Sequence, residues 1–214
     1  MNIRNWVKFY LSTLGIGAVV AVITGFAASW DKYKEYFFTL DWVNIFVNAS
    51  WLFGVGLIFA TLSQMGYFAY LTVHRFGLGI FRSLWNPIQW LLIAFTMFDL
   101  AYFRYQFFAK ENESVLPYLL IPIFLFLLGL AIGYLKAQQT NKSTFVAGVF
   151  FIVVVTTLEW VPVLRTNDQG WLYLMLVPLL VCNTYQLLAL PKYLERSKQE
   201  REQLKARKEA SIAK

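Results

Sequence analysis

Two carboxylic acids lie in apolar and aromatic surroundings: Asp99 in FTMFDLAYFRY and Glu159 in TTLEWVPVLR. Each is followed by an arginine, Arg104 and Arg165. An acid so placed can hold an ion pair, take a polar ligand or relay a proton, because a charge in a low-dielectric interior needs one of those partners. Spacings of five and six residues turn each arginine roughly 120–140° away from its acid at 3.6 residues per turn. Pairing within one helix is therefore poor, and a cross-helix pair such as Asp99 with Arg165 is expected, unless Pro162 distorts its helix. Three uses stay open for this set: ion pairs between helices, a pocket for a small ligand toward the outer side, or a path for a proton or ion. Asn183, Gln186, Asn44 and Asn48 are expected to make hydrogen bonds between helices.

The remaining reactive side chains are few. His74 is the only histidine and Cys182 the only cysteine. Neither a two-histidine zinc helix nor an intrachain disulfide can form, and no phosphate-loop, dinucleotide or serine-elbow motif is present. No catalytic residue, metal or cofactor is expected, and the chain is not expected to be an enzyme.

The elements that position these residues follow from composition. Of 214 residues, 58% are hydrophobic and 19% aromatic, only 14% are charged, and the mean hydropathy is +0.53. That balance is a membrane protein's. About 20 apolar residues cross a bilayer core as a helix. Six such helices are expected, over about 6–29, 43–73, 87–108, 115–135, 144–164 and 170–190, separated by polar breaks such as WDKYKEY, AKENES, KAQQTNKS and RTNDQG. The expected fold is an all-α integral membrane bundle over 1–190, with a short cytoplasmic interfacial helix and a basic cytoplasmic tail over 191–214. The second helix is overlong, about 46 Å for 31 residues. GLAIG, with Gly129 and Gly133, suits close helix packing, as do Gly15 and Gly17.

With the amino terminus inside, 14 of the 19 Lys and Arg residues fall on the cytoplasmic side. Both termini are therefore expected there, in the cell membrane. AAS before Trp30 mimics a signal-peptide cleavage site, but the preceding apolar run is too long, and a retained helix is expected. The tail has eight basic and four acidic residues and is expected to lie, solvated, near anionic lipid. Nucleic acid is not an expected partner.

Between the second and third helices stands HRFGLGIFRSLWNP, His74 to Pro87. On a helical wheel Ile80, Phe81, Leu84 and Trp85 share one face, and Arg82, Ser83 and Asn86 the other, as in an interfacial helix. Gly77 and Gly79 permit a tight turn, and Pro87 suits a first helical turn. Arg75 and Arg82 would face anionic headgroups. His74, Arg75, Phe81, Arg82 and Trp85 are the candidates for contact with a partner.

RNWVKFYLSTLGIGAVVAVITGF, SQMGYFAYLTVHRFGLGIFRSLWN, FDLAYFRYQFFAK and EWVPVLRTNDQGWLYLMLVPLLVCNTYQLLALPK resemble the KinB-signalling-pathway activation proteins, the KbaA family of spore-forming Gram-positive bacteria. The likeness runs from Arg4 to about Lys192. It implies a multi-pass plasma-membrane protein that helps a membrane sensor histidine kinase feed the sporulation phosphorelay, and it carries no catalytic residue across. On that implication the stretch from Gln64 to Asn86 is the first candidate for docking the kinase. The alternative is a small-molecule transporter or receptor with a polar pocket in the outer half of the membrane.

Overall fold

The computed structural model describes residues 2–109, 114–166 and 168–212, the stretch 207–212 by its backbone alone. Lys110, Asn167 and the two final residues, which entered the break and charge assignments, lie outside the described residues. Among the described residues the chain is helical throughout: α1 (Ile3–Ala28), α2 (Trp30–Phe38), α3 (Trp42–Phe81), α4 (Trp85–Phe108), α5 (Leu116–Gln139), α6 (Thr144–Phe150), α7 (Thr156–Leu164) and α8 (Gln169–Ile212). A 3₁₀ turn at Arg82–Leu84 joins α3 to α4, and a π-helical turn at Phe151–Val155 joins α6 to α7. WDKYKEY, expected to be a break, lies within α2, a helix of nine residues carrying an Asp31–Lys34 ion pair one turn apart.

Trp42–Phe108 is a largely apolar stretch of 67 residues, but it is a hairpin. A straight helix would separate residues 74 and 89 by about 22 Å. Instead the Gln89 amide nitrogen lies 3.5 Å from His74 Nδ1, and the Trp85 indole N–H donates to that same nitrogen at 3.0 Å. The turn was expected at the glycines; it occurs at Arg82, whose φ of 48° is left-handed. Gly77 stays within α3 and leaves room for the Trp85 ring, whose carbons a Cβ there would approach to 2.5 Å. The second helix, expected to end at 73, therefore continues to Phe81. The expected interfacial helix is reduced to one 3₁₀ turn.

α3 starts where Asp41 accepts the Asn44 backbone N–H at 3.1 Å and the Asn44 side-chain N–H at 2.7 Å. Asn48 donates to the Asn44 carbonyl at 2.8 Å. These asparagines bond within the start of their own helix instead of linking neighbours.

The leg formed by α6, the π turn and α7 is the centre of the bundle: 72% of its most apolar window is buried, against 28% in α1 and α5. A helix that is apolar all round belongs in such a place. Small residues let its neighbours approach. Gly129 and Gly133 of α5 face Val153 and Val149. Gly17 of α1 faces Ala60 and Cys182, whereas Gly15 faces open space. Gly56 of α3 meets Ala18 and Ala21.

α8 does not stop where the tail was expected to begin; it runs unbroken through Pro191. Proline has no N–H, so the Leu187 carbonyl four residues earlier loses its helical donor. Lys136, at the end of α5, donates its ammonium to that carbonyl at 2.7 Å. Beyond Pro191, α8 grips the start of α1. Asn5 donates to Ser197 at 3.0 Å and to Glu200 at 3.1 Å, Arg4 pairs with Glu200 at 2.6 Å, and Arg201 donates to Asn2 at 3.2 Å. The start of α1 and the part of α8 just beyond Pro191 thus lie together at one end of the bundle.

Candidate functional site

The deepest polar cluster is built on α3, α7 and α8. The Asn183 amide N–H₂ donates to Glu159 Oε2 at 2.7 Å and to Thr156 Oγ1 at 2.9 Å. The Asn183 amide oxygen accepts from Ser63 at 2.6 Å, and the Ser63 hydroxyl oxygen accepts from Gln186 at 2.5 Å. All five side chains are buried. Local structure aims them. The π turn inserts one extra residue ahead of Thr156, and without it Glu159 would be rotated about 100° away from α8. Gly66 makes the room: a Cβ there would collide with Glu159 Oε1. Glu159 Oε1, Gln186 Oε1 and both polar atoms of Gln64 are buried with no hydrogen-bond partner among the described residues.

Of the expected acids and arginines only Glu159 belongs to this cluster. Glu159 and Asn183 are joined, but the other expected members lie elsewhere. Asp99 is half-buried on α4 with no ion pair or hydrogen bond among the described residues. Arg104 Nε is buried with no hydrogen-bond partner among them. Arg165 stands exposed just past the end of α7. The expected Asp99–Arg165 pair does not form. Its arginine is beyond the helix that would have to aim it, and the Asp99 face points away from the core.

The hairpin end holds the expected contact residues in two groups. Trp85 was placed with the outward face and is buried at 4% exposure. Its ring packs on Gly77, near Phe150 and Phe81, and its N–H is taken by His74. The positive φ at Arg82 breaks the helical wheel between Phe81 and Trp85: the two rings still stack at 6.1 Å, but Trp85 is turned into the core and Phe81 stays exposed. His74, half-buried and ringed by Tyr70 and Trp85, accepts through Nδ1, which leaves Nε2 to carry its proton. His74 and Trp85 thus form a latch that closes the hairpin. Gln64, Tyr67 and Tyr70, the first part of the expected docking stretch, are core residues. Phe76, Ile80, Phe81 and Leu84 are exposed, as are Arg75 and Arg82.

Three carboxylates at the bundle's ends have local partners. Arg4 first, then Asn2, holds the Glu200 carboxyl below its ordinary range through hydrogen bonds. At the opposite end Lys34 does the same for Asp31, and Asn44 for Asp41.

Ser63, Gln64 and Gly66 were not singled out for a shared role from sequence, and neither was Thr156. A serine one turn from a small residue in an apolar run is common in membrane helices, and nothing local marks its partner 120 residues away.

Residues 17–193 match the family described as KbaA, KinB-signalling pathway activation in sporulation. A KinB-signaling pathway activation protein of Bacillus subtilis (strain 168) is 48% identical over 195 residues, covering 90% of this chain and 98% of the relative. No solved structure matches the chain. The chain belongs to the KbaA family.

Proposed function

We propose that this protein is a multi-pass cell-membrane accessory protein, not an enzyme, that promotes activation of a membrane sensor histidine kinase feeding the sporulation phosphorelay. Family membership and the name of the Bacillus subtilis relative support the pathway. The hairpin end carries the mechanism: it is held rigid by the His74–Trp85 latch yet turns Phe76, Ile80, Phe81 and Leu84 outward beside Arg75 and Arg82. The apolar set suits a partner's surface or the bilayer interface, and the arginines suit anionic headgroups. The asymmetry of Lys and Arg supports a cytoplasmic side for this end and for both termini. An accessory protein shifts a kinase only by binding one of its states more tightly than the other, with a tenfold preference corresponding to about 1.4 kcal/mol.

The test is purification of the tagged protein in native lipid from host membranes at the onset of sporulation. The kinase should co-purify with the wild-type protein and be lost with Phe81→Asp, while abundance in the membrane is unchanged. Equal recovery with Phe81→Asp overturns docking at the hairpin. A second reading, a small-molecule receptor, draws on the unpartnered acceptors beside Glu159 and Asn183; recovery of the protein alone with a bound small molecule would favour it.

A further inference from the structure

α4 carries a seam that the bundle does not use. Its core-facing side is Gln89, Ile93 and Leu100, all buried. Roughly 100° round the helix run Ile88, Leu92, Phe95, Asp99, Tyr102 and Gln106, spaced alternately four and three residues apart. That spacing is the contact repeat of two helices packed at a shallow left-handed crossing. Phe95 is 61% exposed and Tyr102 46%, and Gln106 is exposed as well. In the middle of this seam Asp99 has no hydrogen-bond or ion-pair partner among the described residues.

Lipid alone is a poor cover for this face. Asp99 is nine residues before the end of α4 and fourteen after its start, about 13 Å and 21 Å along the axis. The short side chain of aspartate cannot reach either interface from there, as a lysine or arginine could. Ionisable groups at such depth pair with another group or line a polar path. A symmetric second copy would set Asp99 against Asp99. We propose that this seam of α4 docks a transmembrane helix of a partner protein, and that a Lys or Arg within that helix meets Asp99. The proposal rests on the membrane reading above, and it names a contact separate from the hairpin end.

The experiment places p-benzoylphenylalanine at position 95 or 102 of the full-length protein in host membranes and irradiates. The expected product is a crosslink to a membrane protein with a Lys or Arg inside one apolar span. Its yield should fall about tenfold in the Asp99→Leu background. Asp99→Lys should abolish it, and exchanging the partner's basic residue for Asp should restore it with Asp99→Lys. Fluorescent labelling of Cys182 checks that each variant remains folded. Crosslinks only to lipid, to a second copy of the chain, or at a yield indifferent to Asp99→Leu overturn the proposal. Absence of the protein from the membrane fraction would overturn the membrane reading instead, and with it this one.

Discussion

Gly66→Ala probes the polar core with a single methyl group. The new Cβ would collide with Glu159 Oε1, with the carboxyl carbon only 2.8 Å away. Glu159 is buried among α3, α7 and α8, so it cannot move aside without losing the 2.7 Å bond from Asn183. Overpacking costs about 1–3 kcal/mol. A buried polar pair left without its hydrogen bond costs about 1–3 kcal/mol more. Alanine in a helix interior returns about 1 kcal/mol. The net loss is about 1–5 kcal/mol. At about 2–4 °C per kcal/mol for a chain of this size, the middle of that range lowers the melting temperature by about 6–12 °C. The assay uses the one cysteine. Cys182 is fully buried, so a thiol-reactive fluorogenic dye reports the opening of the bundle in detergent as temperature rises. Gly54→Ala is the matched control: its Cβ would meet nothing within 4 Å, and it should be neutral or stabilising. In a Glu159→Ala background Gly66→Ala should cost little, because the colliding group is gone. A Gly66→Ala protein that melts with the wild type, or the same penalty with Glu159→Ala, would refute this account of the core.

The hairpin latch and the terminal grip give two further tests. Trp85→Ala should destabilise by about 3–5 kcal/mol, as loss of a buried tryptophan does, whereas Phe81→Ala, at an exposed site, should change the Cys182 labelling temperature little; equal effects would mean that Trp85 is not the latch. Glu200 titrates below its ordinary value of 4.5 in the folded protein, so its contribution is full above that value and is lost as pH falls through the folded value. Hydrogen exchange at the start of α1 should therefore quicken on acidification below about pH 4.5 in the wild type, more than in Glu200→Gln; identical pH dependence in the two proteins would sink the idea.

Composition and hydropathy determined that the chain is a set of long apolar helices, because burying or lipid-facing surface is a property of residue type summed over a segment. They also marked Glu159, Asn183 and Asp99 as unusual, since a polar group in an apolar run is conspicuous without any knowledge of its surroundings. Partner choice was not legible. Glu159 meets Asn183 and Gly66 because a π turn advances its register, and Asp99 has no polar partner among the described residues because its side of α4 faces out of the bundle. Both facts depend on helix rotation, and a one-residue insertion changes rotation by about 100° while leaving hydropathy the same. Trp85 shows the same limit from the other direction. The helical wheel treats residues 80–86 as one helix, but Arg82 breaks it, and a tryptophan expected at the surface becomes the ring that closes the hairpin. The length and apolarity of each helix are local sums that the sequence carries; which face of a helix meets which neighbour is settled only when all of the helices compete for the same core.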